Sequence, residues 1–151
     1  LTSEYAIKDN LQEEMLRILL KRFIILCTRI AREKFSVSPE REKAFDMVRQ
    51  FYVLVDNHFK EKKMVQDYAN MLHRSPKTLS NLFTTCGLPS PLRIIHERIE
   101  AEAKRLLLYS QKSAKEITEI LGFEDQATFS RFFKKMTGES VSEYRKREKQ
   151  E

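Results

Sequence analysis

Glycine and proline are scarce in this sequence, whose 151 residues contain three glycines and four prolines. Hairpins and sheet corners consume both residue types, so this scarcity argues against an all-β fold. The two cysteines, Cys27 and Cys86, form no Cys-x-x-Cys pair, and no cysteine–histidine cluster has the spacing of a zinc site. We therefore expect two reduced thiols in a cytoplasmic protein, and neither a disulfide framework nor a bound metal.

Long apolar runs are also missing. No run is longer than the five residues from Phe23 to Cys27, far below the ~20 residues that a membrane span requires, and no signal peptide is visible. No membrane partner is expected. The chain opens with Leu1 rather than methionine, which suggests a fragment or a processed chain.

The sequence contains few residues that could support catalysis. Its three histidines, His58, His73 and His96, lie on separate predicted helices or turns, and none has a serine or cysteine at a spacing typical of a catalytic triad. A glycine-rich phosphate loop is absent as well. We therefore expect no enzymatic activity, no catalytic residues and no cofactor.

The composition favours a helical protein with an anionic partner. Hydrophobic residues make up 41% and charged residues 33% of the chain, as is usual for soluble helical proteins. The formal net charge is +6, and such a basic balance most often indicates nucleic acid and sometimes a membrane surface. Because no strand pattern is visible, the predicted fold class is all-α, with seven to nine helices.

Residues 5–35 are predicted to form one long amphipathic helix, because apolar side chains recur at steps of three and four residues. The stripe consists of Leu11, Met15, Leu19, Phe23, Leu26 and Ile30, and is widened by Ile18, Ile24 and Ile25. So wide a stripe suggests packing on residues 39–59, on a second chain, or on both. We assign residues 1–37 to this long helix, with dimerisation as one of its expected roles.

A second helix is expected from Ser38 and Pro39 to about residue 59, after a short break at residues 34–38. Its predicted buried side carries Phe45, Val48, Phe51, Tyr52, Val55 and Phe59. Beyond residue 64 the predicted helices become short and are bounded by capping residues. They cover 65–73, from Ser75 to Gly87, from Ser90 to about Tyr109, from Ser113 to Gly122, from Asp125 to Gly138, and onward from Ser140.

An internal repeat is the most informative pattern. Residues 68–83 match residues 117–133 at an offset of 49 before the turn and 50 after it. Each copy reads as a short helix, a turn and a second capped helix, which is the helix-turn-helix layout. We place the first unit at about 64–88 and the second at about 113–138, bridged by a long helix at about 91–110.

The second helix of each copy is predicted to present one apolar and one polar face. Its apolar residues recur at i, i+3 and i+4, which anchors the helix to its own core. The polar face suits a major groove, and between residues 126 and 136 it has three basic residues and no acidic one. The candidate base contacts are Lys77, Ser80, Asn81, Gln126, Thr128 and Arg131. The candidate phosphate contacts are Arg74, Lys134 and Lys135, together with the capped backbone amides at Ser75 and Ser113.

These motifs resemble the signature of the AraC/XylS transcription regulators. The resemblance rests on residues 116–125, the Phe-Ser-Arg-Phe-Phe-Lys-Lys run at 129–135, Thr137-Gly138 and residues 142–145, and it extends over about 45–148. It implies a DNA-binding domain at 38–151, with two helix-turn-helix subdomains bridged by a long helix. This sequence departs from the family pattern at Thr118, Gln126, Thr128 and Val141. The changes at Gln126 and Thr128 alter the reading face, so a target sequence cannot be transferred from relatives.

The resemblance implies that the helix within residues 1–37 either forms a dimer or ends a regulatory domain that is missing here. It also implies partners. Double-stranded DNA is the first, a homodimer through residues 5–35 is the second, and RNA polymerase is a third if the protein activates transcription. The polar faces could also be ordinary solvated helix faces, in which case the chain would be a helical interaction or dimerisation module without sequence-specific DNA binding. RNA binding is less favoured, because the phenylalanines follow core spacing rather than that of exposed stacking platforms.

Overall fold

The structure, a computed structural model, describes residues 12–34 and 38–148. These residues form eight α-helices and no strand, which confirms the all-α prediction. The helices are α1 (Gln12–Lys34), α2 (Pro39–His58), α3 (Val65–Met71), α4 (Pro76–Thr85), α5 (Pro91–Tyr109), α6 (Ala114–Ile120), α7 (Gln126–Thr137) and α8 (Val141–Glu148). The chain divides into two units between Glu42 and Lys43.

The first unit contains α1, whose apolar stripe is exposed. Phe23 is 64% exposed, Ile18 50% and Ile30 53%, so these large side chains have not found a core within the unit. The parts of the predicted helix at 5–11, including Leu11, and at residue 35 lie outside the described residues. In the described part of the chain, no helix is both long and apolar enough to span a membrane.

The second unit is built around one continuous apolar core. It includes Val48, Phe51 and Val55 of α2 and Phe59 just after that helix, which lie three and four residues apart and are all buried. The predicted burial of Phe45 and Tyr52 was wrong, since they are 53% and 40% exposed. Phe45 precedes the first buried position of the stripe. Tyr52 is rotated by about 100° from Phe51, so its ring only meets the core at an edge.

Helix α5 bridges the two halves of this unit. It contacts α3 and α4 on the one hand, and α6, α7 and α8 on the other. Its buried side chains are Pro91, Ile94, Ile95, Ile99, Glu102, Ala103, Leu106 and Leu107. The predicted arrangement of two helix-turn-helix units bridged by a long helix is thereby confirmed.

The internal repeat is visible in the way α3 and α6 end. Arg74 N–H donates to the Ala69 carbonyl and His73 N–H to the Asn70 carbonyl, and the same pair of bonds recurs at Phe123 and Gly122. Both helices thus end in a Schellman-type cap, with His73 (φ 52°) and Gly122 (φ 66°) in the left-handed region. Because this cap stops α3 at Met71, the predicted extension of that helix to residue 73 was wrong.

Candidate nucleic-acid interface

Helix α7 is held firmly at both ends and along its inner face. Asp125 caps its N-terminus, where Oδ1 accepts the Thr128 N–H at 2.7 Å, and Gly138 in the left-handed region ends it. The hydrogen bond from the Thr128 backbone N–H lowers the pKa of the Asp125 carboxyl most, and further hydrogen bonds from the Thr128 hydroxyl and the Ala127 backbone lower it as well. Phe129 and Phe133 are fully buried. The helix is therefore a rigid support for its outer face.

The outer face of α7 carries the predicted contacts of the second unit. Gln126, Arg131, Lys134 and Lys135 are exposed, and Thr128 is half-buried. Arg131 Nη2 donates to Thr128 Oγ1 at 3.3 Å, and that hydroxyl donates to Asp125 Oδ2 at 3.2 Å. The capping residue therefore orients the arginine through one intermediary. Because these hydrogen bonds already restrict the rotamers of Arg131, its side chain would lose less conformational entropy on binding a base.

Helix α4 has the same construction in the first unit. Ser75 caps it by accepting the Thr78 N–H at 3.1 Å, and Leu79 and Phe83 are fully buried. The predicted base-contacting residues Lys77, Ser80 and Asn81 are all exposed on the remaining face. The structure thus brings together three candidate base contacts on each of α4 and α7, the second helices of the two units, which we call the recognition helices.

The candidate phosphate contacts differ in whether their polar groups are already engaged in hydrogen bonds. Arg74 is exposed, with one hydrogen bond to the His73 carbonyl at 3.2 Å. The Ser75 hydroxyl is already engaged in capping α4. Ser113 donates from its amide and its hydroxyl to Glu116 Oε2, at 2.8 and 2.7 Å. A phosphate at Ser113 would have to displace that carboxylate, which makes it the weakest member of the predicted set.

Sequence reasoning missed a basic side chain beside the start of α6. Arg145, on α8, donates from Nη2 to the Lys112 carbonyl at 2.6 Å. It lines a depression of about 360 Å³ together with Ala114, Val141, Ser142 and Lys146. Residue 145 lies in the family signature at 142–145 and at the basic end of the last helix, but nothing in the spacing links residues 112 and 145.

The departures from the family pattern at Thr118 and Val141 do not disturb the packing. Thr118 is buried, and its hydroxyl donates to the Ala114 carbonyl at 2.8 Å. Val141 is buried as well.

His96 packs its ring edge-on against Phe132, at 5.3 Å between ring centroids. Burial, and to a smaller extent the charge of Lys135, lowers the pKa of His96. Within the described residues, no cluster of acidic, histidine or cysteine side chains could hold a metal ion.

Comparison with known proteins agrees with this geometry. A family model described as a helix-turn-helix domain matches residues 68–147, more than half of the chain. The HTH-type transcriptional regulator YisR of Bacillus subtilis is 30% identical over 122 residues, which are 80% of this chain and 41% of that protein. The arabinose operon regulatory protein of Salmonella typhimurium is 36% identical over 92 residues, covering 61% of this chain and 31% of the regulator. The chain therefore spans less than half the length of either.

A solved structure shows the same fold. The C-terminal domain of AraT, a response regulator from Geobacillus stearothermophilus, superposes with a TM-score of 0.61 at 29% identity. The match covers 66% of this chain and 84% of that domain. Taken with the capped recognition helices and the family match, this likeness shows that the chain belongs to the AraC/XylS family of helix-turn-helix transcription regulators, a class of DNA-binding proteins and not of enzymes.

Proposed function

We propose that this chain binds double-stranded DNA sequence-specifically, with α4 and α7 entering two successive major-groove segments on one face of the duplex. The observation that carries the proposal is the exposed face of α7, which has three basic residues and no acidic one on a helix anchored by Phe129 and Phe133. Successive segments of one groove lie about 34 Å, or 10.5 bp, apart. One chain then covers roughly 17–20 bp, asymmetrically, because the two reading faces differ.

The side chains divide into two roles in this proposal. Lys77, Ser80 and Asn81 read bases from α4, and Gln126, Thr128 and Arg131 read bases from α7. Arg74, Lys134 and Lys135, together with the backbone amides at Ser75 and Ser113, hold phosphates and set the register. If the protein activates transcription, RNA polymerase is a second partner.

Selection of bound sites from a random duplex library tests this function. We expect one enriched site with two conserved blocks centred about 10.5 bp apart and a less conserved spacer between them. The control is the same selection with the Asn81→Ala/Arg131→Ala variant, which removes one base-reading side chain from each helix and should relax one base position in each block. Recovery of unrelated sequences by the unaltered chain would favour the alternative of an interaction module that binds DNA only through its charge.

We also propose that α1 joins two copies of the chain. Its exposed side chains Ile18, Phe23 and Ile30 are large and apolar, and each contributes about 1.5–3 kcal/mol when it is removed from water. A second copy offers the same stripe, so that the contact is self-complementary. The dimer places two DNA-binding domains on one regulatory site.

Sedimentation equilibrium should therefore find a dimer for the unaltered chain and a monomer for Phe23→Glu. We expect the substitution to weaken dimerisation by at least about tenfold, because it removes an apolar contact and adds like charges across the interface. The control is Lys21→Glu, which places the same carboxylate at an exposed polar position of the same helix and changes the net charge by more than Phe23→Glu does. A monomer of the unaltered chain at high protein concentration would contradict the dimer and favour packing of the stripe within the chain.

A further inference from the structure

The connector between α2 and α3, residues 59–64, touches both halves of the second unit. Lys63 Nζ donates to the Lys60 carbonyl at 2.7 Å and to the Gly122 carbonyl, in the turn of the second helix-turn-helix unit, at 2.6 Å. The same ammonium lies 5.0 Å from the centroid of the Phe123 ring. One side chain of the connector thus joins it to a turn almost sixty residues further along the chain.

Electrostatics explain why a cation occupies this position. Lys60 follows the C-terminus of α2, and Gly122 follows the C-terminus of α6. Carbonyl groups at helix C-termini carry partial negative charge, so two such ends placed side by side repel each other. The Lys63 ammonium lies between them and attracts both. Burial lowers the pKa of Lys63 from its usual value, as expected for an ammonium taken partly out of water.

The approach of the two backbones at this point is very close. A Cβ atom added to Gly122 would lie 2.0 Å from the Lys60 carbonyl oxygen. His73 is at the equivalent position of the first copy, with nearly the same φ, and it carries a full side chain. The glycine in the second copy therefore serves the contact with the connector more than the left-handed turn itself.

Aromatic contacts link the connector to both recognition helices. On one side, the Tyr68 hydroxyl donates to the Lys62 carbonyl at 2.8 Å, and Tyr68 packs on Phe51, which in turn meets Phe83 of α4 at 5.0 Å between centroids. On the other side, Phe123 packs against Phe129 and Phe132 of α7, at 5.5 and 5.3 Å between ring centroids.

The bridging helix holds the connector as well. Arg98, on α5, stacks its guanidinium over the Phe59 ring at 4.1 Å and donates from Nε to Asp56 Oδ1 at 2.7 Å. The connector is therefore fixed to α3, to α5 and to the turn before α7 at the same time.

We infer that residues 59–64 form a clasp that sets the placement of the two recognition helices relative to each other, and that Lys63 is a positioning residue for the reading of two-segment sites. This inference rests on the proposed function. A protein whose two reading helices are rigidly coupled binds both segments without losing further freedom at the second. Loosening the clasp should therefore weaken two-segment binding while each helix still recognises its own segment.

The test compares Lys63→Met with the unaltered chain on three duplexes. The first is the site selected by the unaltered chain, and in the other two either the first or the second block is randomised. We expect about tenfold weaker binding to the full site and less than twofold change on the two half-randomised duplexes. Inserting or deleting one base pair in the spacer should also lower the affinity of Lys63→Met less than it lowers the affinity of the unaltered chain.

Lys62→Met is the matched control, because it removes the same charge from the connector while its side chain takes no part in the clasp. It should keep both the spacing preference and the ratio of full-site to half-site affinity. Lys63→Arg, which retains the cation, should recover most of that ratio. If Lys63→Met kept the unaltered ratio and spacing preference, the clasp would be refuted. If the unaltered chain failed to select any two-block site, the proposed function would fail instead.

Discussion

Replacing Gly122 by alanine should lower the free energy of unfolding by about 2–5 kcal/mol. The left-handed backbone at φ 66° alone costs an L residue roughly 1–2 kcal/mol. In addition, the new Cβ would lie 2.0 Å from the Lys60 carbonyl oxygen, a backbone atom that cannot rotate away. Overpacking of this kind adds roughly 1–3 kcal/mol. Urea denaturation measures the change as a shift of the midpoint at constant m-value.

Gly87→Ala is the matched control for this substitution. Gly87 has φ 68°, but nothing lies within 4 Å of the Cβ that alanine would add. Gly87→Ala should therefore lower the free energy of unfolding only by the cost of the left-handed backbone, about 1–2 kcal/mol. Equal losses at the two positions would mean that the connector moves freely away from the turn, against the close contact seen between Lys60 and Gly122.

Replacing Arg131 by alanine should weaken binding to the selected site by about 1–3 kcal/mol, or roughly 5- to 150-fold. Arginine can grip guanine through two hydrogen bonds, and here the side chain is oriented by Thr128 and Asp125 before DNA arrives. The loss should fall on one base position, whose preference relaxes in a repeated selection. Affinity for random duplex should change much less.

Lys134→Ala is the comparison for Arg131→Ala, since it removes a positive charge from the same exposed face. A phosphate contact carries no sequence information, so binding should weaken alike on selected and random DNA. The slope of log affinity against log salt should fall by about one. If both substitutions weakened selected and random duplexes equally, the division between base and phosphate contacts on α7 would be wrong.

The helices and their capping residues were predictable because the signals are local. Ser75, Ser113 and Asp125 cap the helices that follow them through hydrogen bonds to residues only three positions away. The i, i+4 spacing of Phe129 and Phe133 likewise identified the buried side of α7. The misplaced residues, Phe45 and Tyr52, lie at the margins of a correctly predicted stripe, where burial depends on how far the neighbouring helices extend.

Sequence by itself determined the eight-helix pattern of the described residues, the repeated helix-turn-helix layout and the polar faces of α4 and α7, because periodicity, caps and repeats act over a few residues. Tertiary structure alone decided what meets across long separations. Lys63 reads as one of many surface lysines, and Gly122 reads as an ordinary helix end. Only folding brings the C-termini of α2 and α6 together, and a cation and a missing Cβ are needed there because two carbonyl-rich ends meet at close range.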